Sequence, residues 1–351
     1  ADLISRAWLS RQPGGISAAH DYAAVSFSRR AVFSREDGEE TVMYGDCSDE
    51  SFLRFEPGGD TAVELLYTWN LEGALTGVAI NVPCPSQVFE LHRFLSADYW
   101  GFVRTDVQKA FGDIFVLPLC GAAGDLSPID LVQISKHNKQ ELLIWGGQAE
   151  EVLRNFNMEA ICEGISARLL EAVKRGYHRA GQEIDYQPAF RHECLHLELP
   201  LRLVPRDVFE ASLAEVRRIQ QVFSRDNRMT TRDVVQAFEP QGDVLRWYMQ
   251  QETATFPCVS HVVRIGRIAI ATNPFELFSE FAQRMKSRAM AEQLFVVQLS
   301  NGIGGYLPSS SAVCGGSYSS KPASTFCGPD GGDMLVERTL EVVNQLFSTT
   351  E

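Results

Sequence analysis

The sequence predicts an α/β fold in which mixed β-sheets are flanked by helices. Apolar runs of strand length alternate with longer stretches of helical periodicity along the whole chain. Loops rich in Gly, Asn, Ser and Pro follow several of the apolar runs, which is typical of folds that carry functional residues after strands. The 351 residues suffice for one large domain or two ordinary ones, and the pattern changes near residue 180, which marks either a linker between two subdivisions or a long connection within one domain.

The first third of the chain predicts a β-hairpin, a long helix and a third strand. Segments 63–69 and 75–82 contain β-branched and aromatic residues and are joined by a turn at 70–73, which predicts a hairpin. Apolar residues at helical spacing predict a helix over 86–111. The apolar run 114–119 predicts a buried strand that leads directly into a glycine-containing loop.

The remainder of the chain predicts five helices, two further strands and a second hairpin. The hairpin is expected at 258–265 and 268–271, because Gly266 and Arg267 separate two apolar runs. The other predicted elements are helices over 143–176, 205–223, 231–251, 275–289 and 332–347, and strands over 190–203 and 294–299.

The composition restricts the classes of partner. The formal net charge is −13 and the isoelectric point is about 5.1, so the surface repels phosphate backbones and no nucleic-acid partner is expected. The sequence has no run of about 18 apolar residues, so no transmembrane segment is predicted. The eight cysteines form no Cys-x-x-Cys pair, and Cys314 and Cys327, both in Gly/Ser-rich loops, form a candidate disulfide.

A formal His-Glu-x-x-His motif lies at 192–196. In metalloproteases this motif needs a helix, so that both imidazoles share one face. Here the surrounding residues alternate between polar and apolar with period two, and Pro200 follows, so the sequence predicts a strand. On a strand, His192 and His196 share a face but lie about 13 Å apart, too far for one ion. The sequence therefore favours a polar strand face over a protease zinc site.

The loop 121–128, Gly-Ala-Ala-Gly-Asp-Leu-Ser-Pro, follows the predicted buried strand. Its glycines allow a ligand to approach the backbone closely, and Asp125 and Ser127 would present a carboxylate and a hydroxyl at the strand end. The alternative is a tight turn in which Asp125 and Ser127 cap a helix that starts at Pro128. The loop alone favours the capping interpretation.

Three more candidates lie in the last third of the chain. Glu276 follows a strand in the segment Asn-Pro-Phe-Glu, where it is either a metal ligand, a general base or a carboxylate that answers a helix dipole. Tyr306 and Tyr318 lie in glycine-rich segments, which suggests phenols that point into a cavity, although loop packing explains them equally well.

Taken together and in order, these segments resemble the neutral/alkaline ceramidase family over nearly the whole chain. The family's Gly-Asp-x-Ser-Pro loop matches 124–128, and its Asn-x-x-x-x-Tyr segment matches Asn301 and Tyr306. A second active-site tyrosine is expected at a fixed interval, and Tyr318 lies 318 − 306 = 12 positions further on. The segment Ser-Arg-Arg at 28–30 is similar to the one that supplies a substrate-polarising arginine, which indicates Arg29.

The resemblance implies a zinc-dependent hydrolase of an amide bond in an N-acylated substrate, either a ceramide-like lipid or another N-acyl compound. It implies that Glu276 and Tyr306 bind Zn²⁺, that Arg29 and Tyr318 stabilise the oxyanion, and that Ser127, beside Asp125, is a nucleophile or an orienting hydroxyl. A single catalytic domain over 1–351 is expected, and a secreted or periplasmic location is suggested by the resemblance alone.

The chain departs from the family pattern at two metal ligands. The family's His-x-His motif lies upstream of the arginine segment, so we expect a missing N-terminal segment, or a separate chain, to supply it. The second zinc histidine is replaced by Asn-Val-Pro-Cys at 81–84, where Cys84 is either a thiolate ligand or a small buried residue. His20 and His92 are weaker substitutes. The family's C-terminal immunoglobulin-like domain is not expected, since the chain ends 33 residues after Tyr318.

Two other functions remain open at the sequence level. One is a catalytically degenerate member of the same fold that binds without turnover because a metal ligand is lost. The other is a metal-independent serine hydrolase that uses Ser127, although the chain lacks a Gly-x-Ser-x-Gly elbow.

Overall fold

The computed structural model describes residues 2–56, 58–90, 92, 94–137, 157–226 and 231–348. Within these residues, helices flank several mixed sheets, which confirms the predicted fold class. The helices are α1 (Asp2–Leu9), α2 (Tyr99–Phe111), α3 (Leu131–His137), α4 (Met158–Ala180), α5 (Arg206–Asp226), α6 (Thr231–Glu252), α7 (Ser279–Arg288), α8 (Ser310–Gly315) and α9 (Pro329–Ser348). The strands are β1 (Gly14–Tyr22), β2 (Phe27–Ser28), β3 (Arg30–Arg35), β4 (Gly38–Met43), β5 (Phe52–Phe55), β6 (Ala62–Asn70), β7 (Leu75–Val82), β8 (Phe115–Cys120), β9 (Leu126–Ser127), β10 (Phe190–Pro200), β11 (Thr255–Ile265), β12 (Ile268–Thr272), β13 (Glu276–Leu277), β14 (Gln293–Val297) and β15 (Tyr306–Leu307).

The first large sheet has the strand order β1-β6-β7-β8. The predicted hairpin is confirmed as antiparallel β6 and β7, and β8 runs parallel to β7. Alternate residues of β6 are buried against α4, where the Tyr67 hydroxyl donates to the carbonyl oxygen of Val173 at 2.7 Å. A Cβ at Gly176 would lie 2.5 Å from the Tyr67 hydroxyl oxygen, so a glycine lets α4 approach the sheet this closely.

The second large sheet has the order β10-β11-β12-β14 and forms a separate hydrophobic core with α7 and α9. The strand predicted over 190–203 and the hairpin at 258–271 are confirmed, and β12 pairs with β14 in parallel. Because side chains alternate along a strand, Leu195, Leu197 and Leu199 all point into this core. The apolar face of α9 covers the same core.

Polar side chains join the two sheets. The Asn81 amide nitrogen, on β7, donates to the carbonyl oxygen of Val296 on β14 at 3.2 Å. The Gln293 amide nitrogen donates to the carbonyl oxygen of Ala19 at 2.9 Å and also to the Glu64 carboxylate. These groups are buried, so each hydrogen bond satisfies an atom that would otherwise be desolvated without a partner.

Glu64 is the charged centre of this junction. Its carboxylate lies 2.9 Å from His20 Nδ1 and 3.1 Å from Lys286 Nζ, which also lies 2.7 Å from Asp60. Burial alone would raise the pKa of Glu64, but the hydrogen bond from His20 and the charge of Lys286 outweigh it and lower the pKa. The hydrogen bond to Glu64 is the largest cause of the raised pKa of His20.

The structure corrects two predicted helices. The helix predicted over 86–111 begins only at Tyr99, because Asp98 is its N-cap. The Asp98 carboxylate accepts hydrogen bonds from the amides of Tyr99 and Phe89. The helix predicted over 275–289 begins at Ser279, because residues 276 and 277 pair with β15 instead.

The structure also bears on the helix predicted over 143–176 and on the candidate disulfide. The helix predicted over 143–176 is seen as α4, and residues 138–156 lie outside the described part of the chain. The candidate disulfide is wrong, since Cys314 is an exposed free thiol and Cys327 a buried one. The subdivision near residue 180 stays a prediction. None of the described helices combines the length and the apolar character needed to cross a bilayer.

Replacing Glu64 by Gln should lower the free energy of unfolding by about 3 kcal/mol, because Lys286 then stays buried with one of its two carboxylates missing. Urea unfolding at neutral pH measures this effect. Glu72→Gln, in the exposed turn after β6, is a matched control and should change stability by less than about 0.5 kcal/mol. Equal effects of the two changes would contradict the role assigned to Glu64.

Protonated His20 should stabilise the fold at mildly acidic pH. Because its folded pKa is raised, this contribution is complete below the unfolded pKa of 6.5 and is lost as the pH rises through the folded value. The stability difference between the unmodified protein and His20→Gln should therefore shrink as the pH rises above 6.5. In a Glu64→Gln background the same substitution should lose this pH dependence, and its persistence there would show a different cause.

Candidate active site

Glu276 and Tyr306 are brought together by a two-residue parallel ladder. Strands β13 and β15 place Glu276 directly beside Tyr306, and the Glu276 amide donates to the carbonyl oxygen of Gly305 at 2.9 Å. The negative charge of the Glu276 carboxylate is one of the causes that raise the pKa of the Tyr306 phenol, after burial. Residues 30 positions apart in sequence thus present two adjacent oxygen donors.

Tyr318 completes an aromatic corner beside this pair. It begins a short 3₁₀ turn, and its ring packs edge-on against Tyr306 with centroids 5.5 Å apart. Burial raises the pKa of both phenols, and the negative charge of Glu276 raises it further. Both hydroxyls therefore keep their protons at neutral pH and can donate hydrogen bonds.

Arg29 places a buried cation against the same corner. Its side chain is 4% exposed, and the guanidinium carbon lies 5.4 Å from the centre of the Tyr306 ring. Nη2 donates to the carbonyl oxygen of Gly124 at 2.8 Å and Nη1 to the hydroxyl of Tyr44 at 3.3 Å. Burial opposes its charge, but Tyr44 and Tyr306 outweigh burial and raise the pKa of Arg29.

One donor of Arg29 is unused. Nε is buried and has no hydrogen-bond partner within the described part of the chain. A buried N–H without a partner costs about 1–3 kcal/mol, so such a group in a cluster of this kind is suited to an incoming oxygen. The hydrogen bonds of Arg29 to Gly124 and Tyr44 involve neutral oxygens, which leaves its positive charge available to a developing anion.

Arg30, the next residue, anchors the segment that carries Tyr318. It is fully buried and pairs with Glu56 at 2.6 Å from Nε, while its Nη2 donates to the carbonyl oxygen of Gly316 at 2.6 Å. Nη1 donates to the hydroxyl of Ser319 at 3.2 Å. The two neighbouring arginines thus have different functions, since Arg29 borders the tyrosines and Arg30 fixes their supporting loop.

The loop 121–125 rests directly on β13. A Cβ at Gly124 would lie 2.3 Å from the carbonyl oxygen of Glu276, so only glycine fits there without displacement of the strand. The Gly124 amide donates to the carbonyl oxygen of Leu277 at 2.8 Å. The Gln298 side-chain oxygen accepts hydrogen bonds from the amides of Ala123 and Leu277 at 3.0 and 3.2 Å, which joins the loop to β13 a second time.

The Asp125 carboxylate is occupied by the start of α7. One of its oxygens accepts a hydrogen bond from the Ser279 amide at 2.8 Å and the other from the Ser279 hydroxyl at 2.6 Å. Burial raises the pKa of Asp125, although the two hydrogen bonds from Ser279 oppose this rise. Asp125 does cap a helix, but a distant one rather than the helix expected to start at Pro128.

Ser127 is 1% exposed, and its hydroxyl oxygen accepts a hydrogen bond from the Ile129 amide at 3.1 Å. It lies on β9, where it pairs with Phe27 on β2. The adjoining Arg29 amide donates to the carbonyl oxygen of Asp125 at 3.2 Å. This short ladder holds the arginine segment beside the Gly-Asp-x-Ser-Pro loop.

Cys84 has 0% exposure, and its thiol donates to the carbonyl oxygen of Val25 at 3.2 Å. Burial raises the pKa of the thiol well above its usual range, which disfavours a thiolate. The structure thus gives Cys84 a packing role, and its role as a metal ligand stays a prediction. Of the substitutes, His20 binds Glu64 and His92 packs against Phe89.

Sequence reasoning missed Tyr44, Gln298 and Arg30. Tyr44 lies in a turn with φ of 57°, an unusual conformation for a bulky residue that the sequence gives no means of predicting. Gln298 and Arg30 each follow or begin a strand, where polar residues are common. Their roles depend on contacts with segments more than 150 residues away in the chain.

The donor set fits a zinc ion in part. Glu276 and Tyr306 supply two oxygen ligands of a kind that zinc accepts, whereas catalytic zinc sites usually have three protein ligands. Within the described residues, no three His, Cys, Asp or Glu side chains are arranged to hold an ion. The residues present therefore fit zinc as two of its ligands.

Comparison with solved structures identifies the fold. The match to the neutral ceramidase from Pseudomonas aeruginosa covers 98% of this chain and 54% of the ceramidase chain, with a TM-score of 0.61 and 14% sequence identity. The match to a ceramidase complexed with C2 covers 98% of this chain and 55% of that ceramidase chain, with a TM-score of 0.60 and 12% sequence identity. No family model and no curated protein matches the sequence. The chain thus has a ceramidase-like fold and spans about half the length of these ceramidases.

Asp125→Ala should destabilise the protein by about 1–3 kcal/mol, because the buried Ser279 amide loses its acceptor. Asp125→Asn is the matched control, since its amide oxygen can accept from the Ser279 amide while its nitrogen donates to the Ser279 hydroxyl. Urea unfolding of both variants separates the two cases. A neutral Asp125→Ala would show that Asp125 does not hold α7 in place.

Proposed function

We propose that this chain catalyses the hydrolysis of an amide bond in an N-acylated substrate. The observation that carries the proposal is the buried Arg29 guanidinium with an unpaired Nε, packed against the tyrosine that lies beside Glu276. The ceramidase-like fold supports the same reaction class, because this chain shares it with two ceramidases. A fold alone does not determine a reaction, so the side chains of the site carry the proposal.

Arg29 and Tyr318 are suited to the carbonyl oxygen of the substrate. Attack on an amide converts this oxygen to an oxyanion, and donors fixed in advance in a dry site stabilise it more than water does. The Arg29 guanidinium is held by Gly124 and Tyr44, so its position is set before substrate binds. The protonated phenol of Tyr318 supplies a neutral donor.

Glu276 and Tyr306 are suited to a zinc ion. A bound Zn²⁺ would polarise the carbonyl and supply hydroxide near neutral pH. Burial and the charge of Glu276 raise the pKa of the Tyr306 phenol, so Tyr306 would have to lose its proton to bind a metal as phenolate. The charge of Arg29, which lowers the pKa of Tyr306, favours that release.

Ser127 is better suited to orientation than to attack. A serine nucleophile needs a general base within hydrogen-bond distance of its hydroxyl, and here the hydroxyl accepts a hydrogen bond from a backbone amide. The metal-independent serine hydrolase is therefore the weaker alternative. The ligand pair Glu276 and Tyr306, with Cys84 occupied elsewhere, favours a degenerate binding member as the second candidate.

The substrate class in this proposal is an N-acyl compound with a ceramide-like lipid as the first candidate. A ceramidase fold covers 98% of the chain, which supports a lipid amide. Arg29, Tyr318 and Glu276 would act on the amide group itself and not on the rest of the substrate. An N-acyl amino acid would therefore interact with the same side chains.

Tyr318→Phe should lower kcat by about 100-fold with a small change in KM, because it removes a donor to the oxyanion. Turnover of a short-chain ceramide and of N-acyl amino acids by the zinc-loaded protein measures this effect. Tyr248→Phe, on the exposed surface of α6, is the matched control and should leave kcat unchanged.

Metal analysis of the same preparations distinguishes the alternatives. Glu276→Gln and Tyr306→Phe should each reduce the amount of zinc bound at this site, and chelators should abolish turnover. Metal-free protein that binds an N-acyl compound without turnover would establish the degenerate member. Turnover that resists chelators and stops with serine-directed reagents would establish the serine hydrolase.

A further inference from the structure

Helix α6 is divided by a proline. Pro240 lies inside the helix Thr231–Glu252, where it has no N–H to donate to the carbonyl oxygen of Gln236, four residues before. A proline within a helix is a usual cause of a kink, because a hydrogen bond that would join the two sides is missing. The helix therefore has a front segment, residues 234–239, and a rear segment, residues 243–252, which are joined less firmly than two halves of an unbroken helix.

The rear segment is fixed to neighbouring parts of the chain. Arg246 Nε donates to the carbonyl oxygen of Thr325 at 3.2 Å, and its guanidinium stacks on the ring of Phe326 at 3.5 Å from the centroid. The side-chain amide of Gln250 exchanges two hydrogen bonds with the backbone of Val204, at 2.7 and 3.1 Å. These contacts hold the rear segment in place whether or not the front segment moves.

The front segment is held by weaker contacts. Ala237 is buried, but it is small and contributes little apolar area. The ion pair of Glu239 with Lys321 joins side chains that are 41% and 44% exposed, and exposed pairs add little stability. The ring of Phe238 packs against the ring of Tyr318 with centroids 5.7 Å apart. The front segment therefore lies against a residue of the candidate active site and can leave it at small cost.

The front segment also exposes apolar side chains. Val234 is 54% exposed, Val235 44% and Phe238 47%. Val234 and Phe238 lie four residues apart and share one face of the helix, and Phe238 connects this face to Tyr318. Exposed apolar side chains that adjoin a candidate active site favour an apolar ligand.

We propose that the front segment is a lid, hinged at Pro240, that closes on the apolar chain of an N-acyl substrate. This inference rests on the proposed function, since it names the part of that substrate which the lid covers. An amide carbonyl held by Tyr318 lies next to Phe238, so an apolar chain attached to the carbonyl reaches the lid. Each methylene buried between chain and lid strengthens binding by up to about fourfold. Closure also excludes water from the oxyanion.

The size of the front segment favours a single apolar chain over a protein partner. Six helical residues span about 9 Å, and three of them expose apolar side chains. A specific protein interface buries about 800 Å² on each partner, which is far more than this segment offers. One acyl chain matches an apolar surface of these dimensions.

Hydrogen–deuterium exchange of the full chain, with a chelator present so that the probe is not turned over, tests the lid. Amides 234–239 should exchange at least about tenfold faster than amides 243–252. N-lauroylglycine should slow exchange in the front segment alone, whereas N-acetylglycine, which has the same head group and no long chain, should slow neither segment. Equal exchange in the two segments would overturn the proposal. So would slowing by phosphatidylcholine vesicles but not by N-lauroylglycine, which would indicate a lipid surface.

Substitutions identify the residues that act. Phe238→Ser should weaken the binding of N-lauroylglycine at least about tenfold in isothermal titration. Leu245→Ser is the matched control, since Leu245 is 65% exposed on the same helix face in the rear segment, and it should leave binding unchanged. Pro240→Ala should restore the missing hydrogen bond and slow exchange in the front segment. Equal losses of binding from the two serine substitutions would contradict the lid.

Turnover by the zinc-loaded protein separates this inference from the proposed function. Phe238→Ser should raise KM for N-lauroylglycine at least about tenfold and leave kcat/KM for N-acetylglycine unchanged. A chain that binds N-lauroylglycine through Phe238 but turns over neither compound would refute the hydrolase and keep the lid. Turnover of N-lauroylglycine with the same KM in Phe238→Ser would keep the hydrolase and refute the lid.

Discussion

The buried ion pair of Arg30 and Glu56 is the interaction on which the candidate active site depends. A guanidinium taken fully out of water is stable only when carboxylate and carbonyl partners replace its hydration. Here the partners of Arg30 are Glu56, just after β5, and the carbonyl oxygen of Gly316, in the loop before Tyr318. The hydrogen bonds of one buried guanidinium therefore hold two distant segments together. Arg29 follows from the same constraint, because the backbone that buries Arg30 also carries Arg29 to the tyrosines.

Close backbone contact between the loop 121–125 and β13 is a second constraint on the candidate active site. Gly124 lies against the carbonyl of Glu276, and Gln298 bonds both the loop and β13, so the two candidate segments cannot move separately. Asp125 adds α7 to this unit through Ser279. The Gly-Asp-x-Ser-Pro loop therefore has a structural role, because it connects the segment of Arg29 with the strand of Glu276, and both of these residues lie beside Tyr306.

The proposed site is a group of donors with little excess charge of its own. Arg29 offers a cation, Tyr306 and Tyr318 offer protonated phenols, and Glu276 offers a carboxylate on the strand beside Tyr306. Such a group can stabilise an oxyanion and can contribute two ligands to a metal.

The sequence by itself determined the fold class and most element positions. Period-two and period-3.6 patterns identify the β6–β7 hairpin, β10, the β11–β12 hairpin, α5 and α6, because local periodicity reports which face is buried. It also marked Arg29, Glu276, Tyr306 and Tyr318, whose order in the chain resembles one family. These signals are local or depend on fixed spacing, so one sequence can carry them.

Only the tertiary structure decided which neighbour each of these residues has. Glu276 is in a strand and not in a helix, because its ladder partner Tyr306 lies 30 residues further along. Cys84 faces Val25 and Asp125 faces Ser279, since hydrogen bonds in a buried region go to whichever donor or acceptor the fold brings near. Such contacts arise from packing between segments far apart in the chain, and the local sequence pattern contains no record of them.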